Sequence, residues 1–294
     1  MRGALTPFLL GALLWLEPAA ARAQLTHTNA AGSVFTYNPN PAGSNTIAAY
    51  SGTNAEVIIP ATLAGLRVSG IGTEAFVTND TLTNVTISGG VSSIGTSAFE
   101  DCVSIASVTI PGTITNMGVD AFAGCTSLAS LTISNGVPSI GEDAFYDCVS
   151  LASVTIPASV TNIQEDAFED CSTLTNVFFT GGPPIADPSV FPAGVTVYYV
   201  TDTDLWTSTF ADRTALFWNA LIQAGGGAFG VQTNQFGFDI TGTLGIPVVV
   251  EACTNLANPV WSPLLSLTLT NGEFYFSEPL QTNPFGRYYR LSSP

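Results

Sequence analysis

A 23-residue period constrains this chain more than any other feature. Val85-Thr86-Ile87, Val108-Thr109-Ile110, Leu131-Thr132-Ile133 and Val154-Thr155-Ile156 start 23 residues apart, and Val177-Phe178-Phe179 keeps the step. Val57-Ile58-Ile59 is an earlier copy, 28 residues before Val85, with five extra residues around Leu63 to Gly70 where a loop can absorb them. A period of this length signals a solenoid. One unit cannot cover its own apolar face, whereas stacked units bury it in continuous ladders.

The apolar positions inside each unit alternate briefly and then become irregular. Val85 and Ile87 are followed by Val91, Ile94, Ala98, Phe99, Cys102 and Ile105, and the same offsets recur in later units. This is neither a steady strand period nor a helix period, and it suits a coil that turns a corner every few residues. Phe76, Phe99, Phe122, Phe145 and Phe168 are expected to form one inward ladder, and Cys102, Cys125, Cys148 and Cys171 another. Strands about 4.8 Å apart would make six turns a rod of about 25–30 Å.

Thiols in such a ladder lie along a line, whereas zinc needs ligands converging on one point. Their Cβ atoms, near 4.8 Å apart, also exceed the usual disulfide range of about 3.5–4.5 Å. Buried free thiols acting as small apolar residues are the expectation. Carboxylates repeat as well: Glu74, Asp120, Asp143 and Asp166 stand two before the Phe, and Asp101, Asp147 and Asp170 two after it. They read first as caps of the tight turn around Ala-Phe, accepting backbone N–H groups. A sharper reading makes Asp120, Asp143, Asp166, Asp101, Asp147 and Asp170 candidate calcium ligands. No other cofactor is implied.

Three segments carry a family resemblance: Val-Thr-Ile-Pro, then Ser93-Ile94-Gly95 and Ser139-Ile140-Gly141, then Ala121-Phe122-Ala123-Gly124-Cys125-Thr126-Ser127-Leu128 and Ala144-Phe145-Tyr146-Asp147-Cys148-Val149-Ser150-Leu151. This pattern resembles the BspA-like leucine-rich repeats over about residues 57–200. The resemblance implies a secreted or surface-exposed protein, with adhesins among its relatives, and no particular ligand.

The ends of the chain complete the domain plan. Arg2, an apolar run from Ala4 to Trp15 and Leu16, and Ala21-Arg22-Ala23 read as a signal peptide over residues 1–23. Residues 24–56 read as a β-hairpin cap, with Ser33–Tyr37 and Thr46–Tyr50 joined by a Pro/Gly/Asn turn. Residues 57–200 hold the repeats, ending in a strand from Gly194 to Val200 whose open face Trp206, Phe210 and Trp218 can cover. Residues 201–229 form a closing segment with a linker at Ala224-Gly225-Gly226-Gly227-Ala228. Residues 230–294 read as a small antiparallel β module, resembling sandwich-like terminal modules of exported bacterial proteins, with surface attachment as one use for it. The fold class is therefore mainly β: a leucine-rich-repeat-like solenoid of short parallel strands with a hairpin cap and a C-terminal sandwich-like module.

Charge excludes one class of partner. The chain has 22 acids, six arginines, no lysine and a net charge of −16, so it repels nucleic acid. No later stretch is apolar enough to cross a bilayer after signal cleavage. His27 is the single histidine, and no nucleophile elbow, metalloprotease helix or phosphate loop is present. The sequence reads as a monomeric, non-catalytic scaffold that binds a protein or a carbohydrate through a solvent-facing face of the solenoid. Two alternatives stay open. One is an exported glycan-active hydrolase using paired carboxylates; the other is a structural solenoid that binds ice or a crystalline surface through the outward column Thr86, Thr109, Thr132 and Thr155.

Overall fold

The computed structural model describes residues 24–29, 32–200, 205–224, 229–280 and 287–293. The segment read as a signal peptide, residues 1–23, and the core of the expected glycine-rich linker, residues 225–228, lie outside the described residues. The described part is almost entirely β, with one short 3-10 turn at Pro188–Val190.

Each repeat begins with a four-residue strand. Asn84–Ile87, Ser107–Ile110, Ser130–Ile133, Ser153–Ile156 and Asn176–Phe179 pair in parallel with equivalent residues opposite one another. They belong to a nine-stranded sheet that starts at Glu56–Ile59. Alternation does the sorting: Val85, Ile87 and their equivalents are buried, while Thr86, Thr109, Thr132 and Thr155 are exposed. β-Branched residues suit both faces of such a strand. A two-residue strand then makes the second side, as at Ser93–Ile94, Asn116–Met117 and Ser139–Ile140. Glycine follows because the coils approach closely there. A Cβ on Gly95 would sit 2.6 Å from Gly72, and one on Gly118 would sit 2.5 Å from Thr96.

The third side is a ribbon of consecutive turns, and its backbone explains the repeated acids. Glu74, Ser97, Asp120, Asp143 and Asp166 have φ between 52° and 57°, and so do Thr78, Asp101, Asp147 and Asp170, with Gly124 at 69°. Left-handed backbone is costly for most side chains and least so for Gly, Asn and Asp. This conformation aims alternate N–H groups along the solenoid axis. Asp120 N–H donates to Glu142, Phe122 N–H to Ala144, and Gly124 N–H to Tyr146. Asp143, Phe145 and Asp147 repeat the scheme one turn on.

Inside the coil the aromatic ladder is continuous. Tyr50, Phe76, Phe99, Phe122, Phe145, Phe168 and Phe191 stack with centroids 4.7–5.7 Å apart. Phe35 tilts against Tyr50 at one end, and Phe210 meets Phe191 at the other. The cap hairpin, Val34–Pro39 with Ser44–Ser51, joins the second-side sheet through parallel pairing with Leu66–Ile71. An additional strand, Leu25–Thr28, extends it and carries the exposed His27. The five-residue insertion is a tight hairpin rather than a loop: Thr62–Leu63 pairs with Leu66–Ile71 across Ala64 and Gly65, both at positive φ.

The far end departs from the sequence reading in two ways. Thr196–Tyr199 is not the last strand, because Arg213–Phe217 adds another parallel strand, closed by antiparallel Thr209–Phe210. Trp206 is buried over the spine and donates to Gly181 O at 3.2 Å. Trp218, by contrast, belongs to the C-terminal module, donating to Pro247 O at 2.7 Å.

That module is two antiparallel sheets. One contains Leu221–Gln223, Gly230–Gln232, Gln235–Thr241 and Glu273–Pro279; the other contains Pro247–Cys253, Ser262–Thr268 and Tyr288–Ser292. Leu221–Gln223, which the sequence assigns to the closing segment, is a strand of this module. Phe238, Ile240, Ile246, Val248, Val250, Leu269 and Phe276 fill the space between the sheets.

Replacing Phe122 or Phe145 by Ala removes a fully buried ring from the middle of the ladder. We expect a loss of about 3–5 kcal/mol, measured by urea or thermal unfolding, against a much smaller loss for Phe274→Ala on the exposed module surface.

Candidate functional site

Two surfaces of the solenoid contrast in chemistry. The first is the outward face of the nine-stranded sheet. Ile58, Thr86, Thr109, Thr132 and Thr155 stand opposite one another in successive strands. One residue pair away along each strand, Asn84, Ser107, Ser130 and Ser153 form a second column in the same register. The two columns lie on one face because side chains alternate along a strand. Within the second column Ser107 Oγ donates to Asn84 Oδ1. None of these Asn, Ser and Thr residues is charged.

The Thr column differs from a large group of the coil's hydroxyls. Ser92, Thr113, Thr115, Thr126, Ser150, Ser159, Thr161, Thr173 and Thr175 each donate to a backbone carbonyl of the preceding turn. Among the described residues, the hydroxyls of Thr86, Thr109, Thr132 and Thr155 have no hydrogen-bond partner in the protein. They are exposed and available to a ligand. The sequence exposes the Thr column readily; the Ser column is the part it hides, although a small polar residue two before each Thr was its signal.

The second surface is the turn ribbon, which is acidic. Thirteen of the 22 acids lie between Glu74 and Asp187, and no arginine stands between Arg67 and Arg213. Burial, then Glu100 and Glu142, push the Asp120 carboxyl above the ordinary range. Asp143 is raised by burial and then by Asp120, Asp166, Glu142 and Glu165. Glu169 is raised by burial and Asp170, opposed by Arg213. Tyr146 donates to the Asp170 carboxylate, which pushes the phenol up to about 12.

Of the proposed calcium ligands, Asp120, Asp143 and Asp166 form one row along this ribbon and Asp101, Asp147 and Asp170 another. Among the described residues, no group of three or more His, Cys, Asp or Glu side chains could hold a metal ion. The turn-capping expectation also needs amending. No backbone N–H is described as donating to the carboxylates of Asp120, Asp143 or Asp166, and the service these residues perform is to occupy left-handed backbone.

The cysteines carry a function that the sequence reading missed. All four ladder thiols, and Cys253, are buried and free. Each ladder thiol donates to the carbonyl of a Phe 26 residues earlier: Cys102 to Phe76 at 3.0 Å, Cys125 to Phe99 at 3.3 Å, Cys148 to Phe122 at 3.5 Å and Cys171 to Phe145 at 3.1 Å. The position wants a small side chain that is nearly apolar and can still donate weakly. Burial pushes the Cys102 thiol up to about 11, and it pushes Cys125 higher still.

Two predictions arise from these groups. The native protein should leave all five thiols unreactive toward a disulfide reagent, because they are buried; denaturation should release close to five equivalents. Raised carboxyl values in the folded state mean that the fold binds protons more tightly than the unfolded chain. The contribution of Asp120 and Asp143 to stability therefore grows as pH falls from neutral through their raised values, and levels off below the unfolded value of about 3.9. Asp143→Asn should raise the melting temperature at pH 7 and lose that gain near pH 3. Asp143→Val should lower stability by about 1–2 kcal/mol at both, since Val is poorly tolerated at positive φ.

Comparison with known proteins places these surfaces in context. The BspA type leucine rich repeat region matches residues 49–178 in six copies. The crystal structure of the T. pallidum leucine rich repeat protein is 30% identical, covers 56% of this chain and 82% of its own, and superposes with a TM-score of 0.50. A leucine rich cell surface protein from Faecalibacterium prausnitzii is 25% identical over 54% of this chain and 56% of its own, with a TM-score of 0.36. A leucine-rich repeat protein from Bacteroides capillosus is 25% identical over 53% of this chain and 99% of its own, with a TM-score of 0.37. No curated protein matches the chain.

Proposed function

The chain belongs to the BspA-type leucine-rich repeat family, and from that premise we propose that it is a non-catalytic binding scaffold whose working surface is the hydroxyl-bearing face of the long sheet. The single observation behind this reading is the register of unengaged hydroxyls at Thr86, Thr109, Thr132 and Thr155, held out while their neighbours along the coil bond to backbone. A rigid, repeated, uncharged surface suits a neutral polar partner, either a glycan or a polar protein surface. The partner meets the same donor and acceptor at each turn. The acidic ribbon on another side of the coil keeps nucleic acid and anionic lipid away.

Export to the cell exterior fits the basic and apolar N-terminal segment. No helix among the described residues is long and apolar enough to cross a membrane. The stacked carboxylates are a poor basis for glycoside hydrolysis, because that chemistry uses two unequal acids across a cleft and these form rows of equivalents. The in-register Ser column gives some weight to the surface-binding alternative, since two columns make an area where one made only a line.

The test is a binding screen of the mature chain against matrix proteins and soluble and crystalline glycans. Thr109→Arg/Thr132→Arg should abolish any genuine signal, whereas Asp143→Asn on the ribbon should leave it intact. Loss of binding with the ribbon variant and retention with the face variant would move the site to the acidic side.

A further inference from the structure

The outward Thr column does not run the length of the sheet. Reading across the strands in register, it goes Ile58, Thr86, Thr109, Thr132, Thr155, Phe178, Tyr198 and Leu216. Phe178 and Tyr198 are outward-pointing positions, yet they are 1% and 5% exposed. Their rings stack at 5.1 Å. They belong to the same buried cluster as Phe238, Ile240, Ile246, Val248 and Val250 of the C-terminal sandwich, with Leu216 packed against it. Two polar contacts accompany that cluster. Tyr198 Oη donates to Gly245 O at 3.5 Å, and Trp218 Nε1 donates to Pro247 O at 2.7 Å.

We infer that the C-terminal sandwich is a fixed wall seated on the last rungs of the binding face, one that ends the accessible hydroxyl array after four rungs, rather than a tail free to serve elsewhere. The replacement of Thr by Phe, Tyr and Leu at one repeat position is the docking signal. Exposed aromatics on a coil meant for water would be a liability, and here they complete the core of the module. The sandwich in turn leaves its own core open without them. One consequence concerns ligand size, and it rests on the binding face proposed above. Four rungs about 4.8 Å apart give roughly 14 Å from Thr86 to Thr155, so a linear partner lying along the axis gains no further hydroxyl contacts beyond that length.

The docking itself is tested without any ligand, so its failure is separate from failure of the binding proposal. On the unaltered mature chain, calorimetry should give one cooperative transition, and small-angle scattering should fit one body with the sandwich seated. Two independent transitions, or scattering from two bodies on a flexible tether, would overturn the inference. The full-length Phe178→Thr/Tyr198→Thr variant restores the repeat's own residue at both rungs. It should split the melting curve in two and enlarge the particle while Cys102, Cys125, Cys148 and Cys171 remain unreactive, showing the coil intact. Scattering and melting indistinguishable from the parent would refute docking through these rings. If the variant's coil unfolds, with its ladder thiols titrating in native buffer, the measurements on the unaltered chain decide the matter alone.

Discussion

Everything in this fold depends on backbone hydrogen bonds that run along the axis on more than one side of the coil. On the long sheet they are ordinary parallel pairing. On the turn ribbon they accompany a left-handed residue on either side of each Phe, as at Asp120 and Gly124 around Phe122 or Asp143 and Asp147 around Phe145, and the N–H groups of these residues and of the Phe between them point toward the next coil. Without that arrangement the ribbon would bury N–H groups with no acceptor, at a cost comparable to losing a hydrogen bond each time. The axial bonds hold successive coils at one spacing, and that spacing lets the Phe rings stack, lets each thiol reach a carbonyl, and places the Thr hydroxyls in line.

The acidity of the ribbon follows from the same requirement. Asp tolerates the left-handed region, and so does Asn, but repetition places Asp over Asp. Burial first, and then repulsion from neighbouring acids, raises the carboxyls of Asp120 and Asp143. The ribbon therefore gains backbone geometry and pays in electrostatics, a trade that makes the acids poor evidence for a metal site. The aromatic and thiol ladders have no such conflict, since both are neutral and buried.

Much of this was legible in the sequence because the repeat is read by subtraction. Val85 and Val108, Phe99 and Phe122, and Cys102 and Cys125 share offsets, and positions that share an offset must share an environment in a solenoid. What the sequence concealed were features that depend on dihedral angle or on breaks in the repeat. The positive φ of Asp120 leaves no trace in hydropathy. The Ala64-Gly65 hairpin was hidden inside an insertion that looked like slack. Beyond residue 190 the spacing contracts, with Val177 matched to Val197 and then to Ala215, so a search at a step of 23 ends one strand too soon.

The same subtraction gives the function its direction. In a repeat protein the invariant offsets belong to the core, and the offsets at which residues change mark where the surroundings change. At the outward strand position the change is from Thr155 to Phe178, and the surroundings change there from solvent to the interior of the C-terminal sandwich. Thr is ordinary on a solvent-facing strand, so the four Thr residues alone would say little. Their meaning comes from contrast. The next rungs abandon Thr once the surface is covered, and many of the coil's other hydroxyls bond to backbone. What remains is a short, uncharged, hydroxyl-bearing face with a wall at one end, and the partner we propose for it is neutral, polar and matched to a repeat set by the backbone itself.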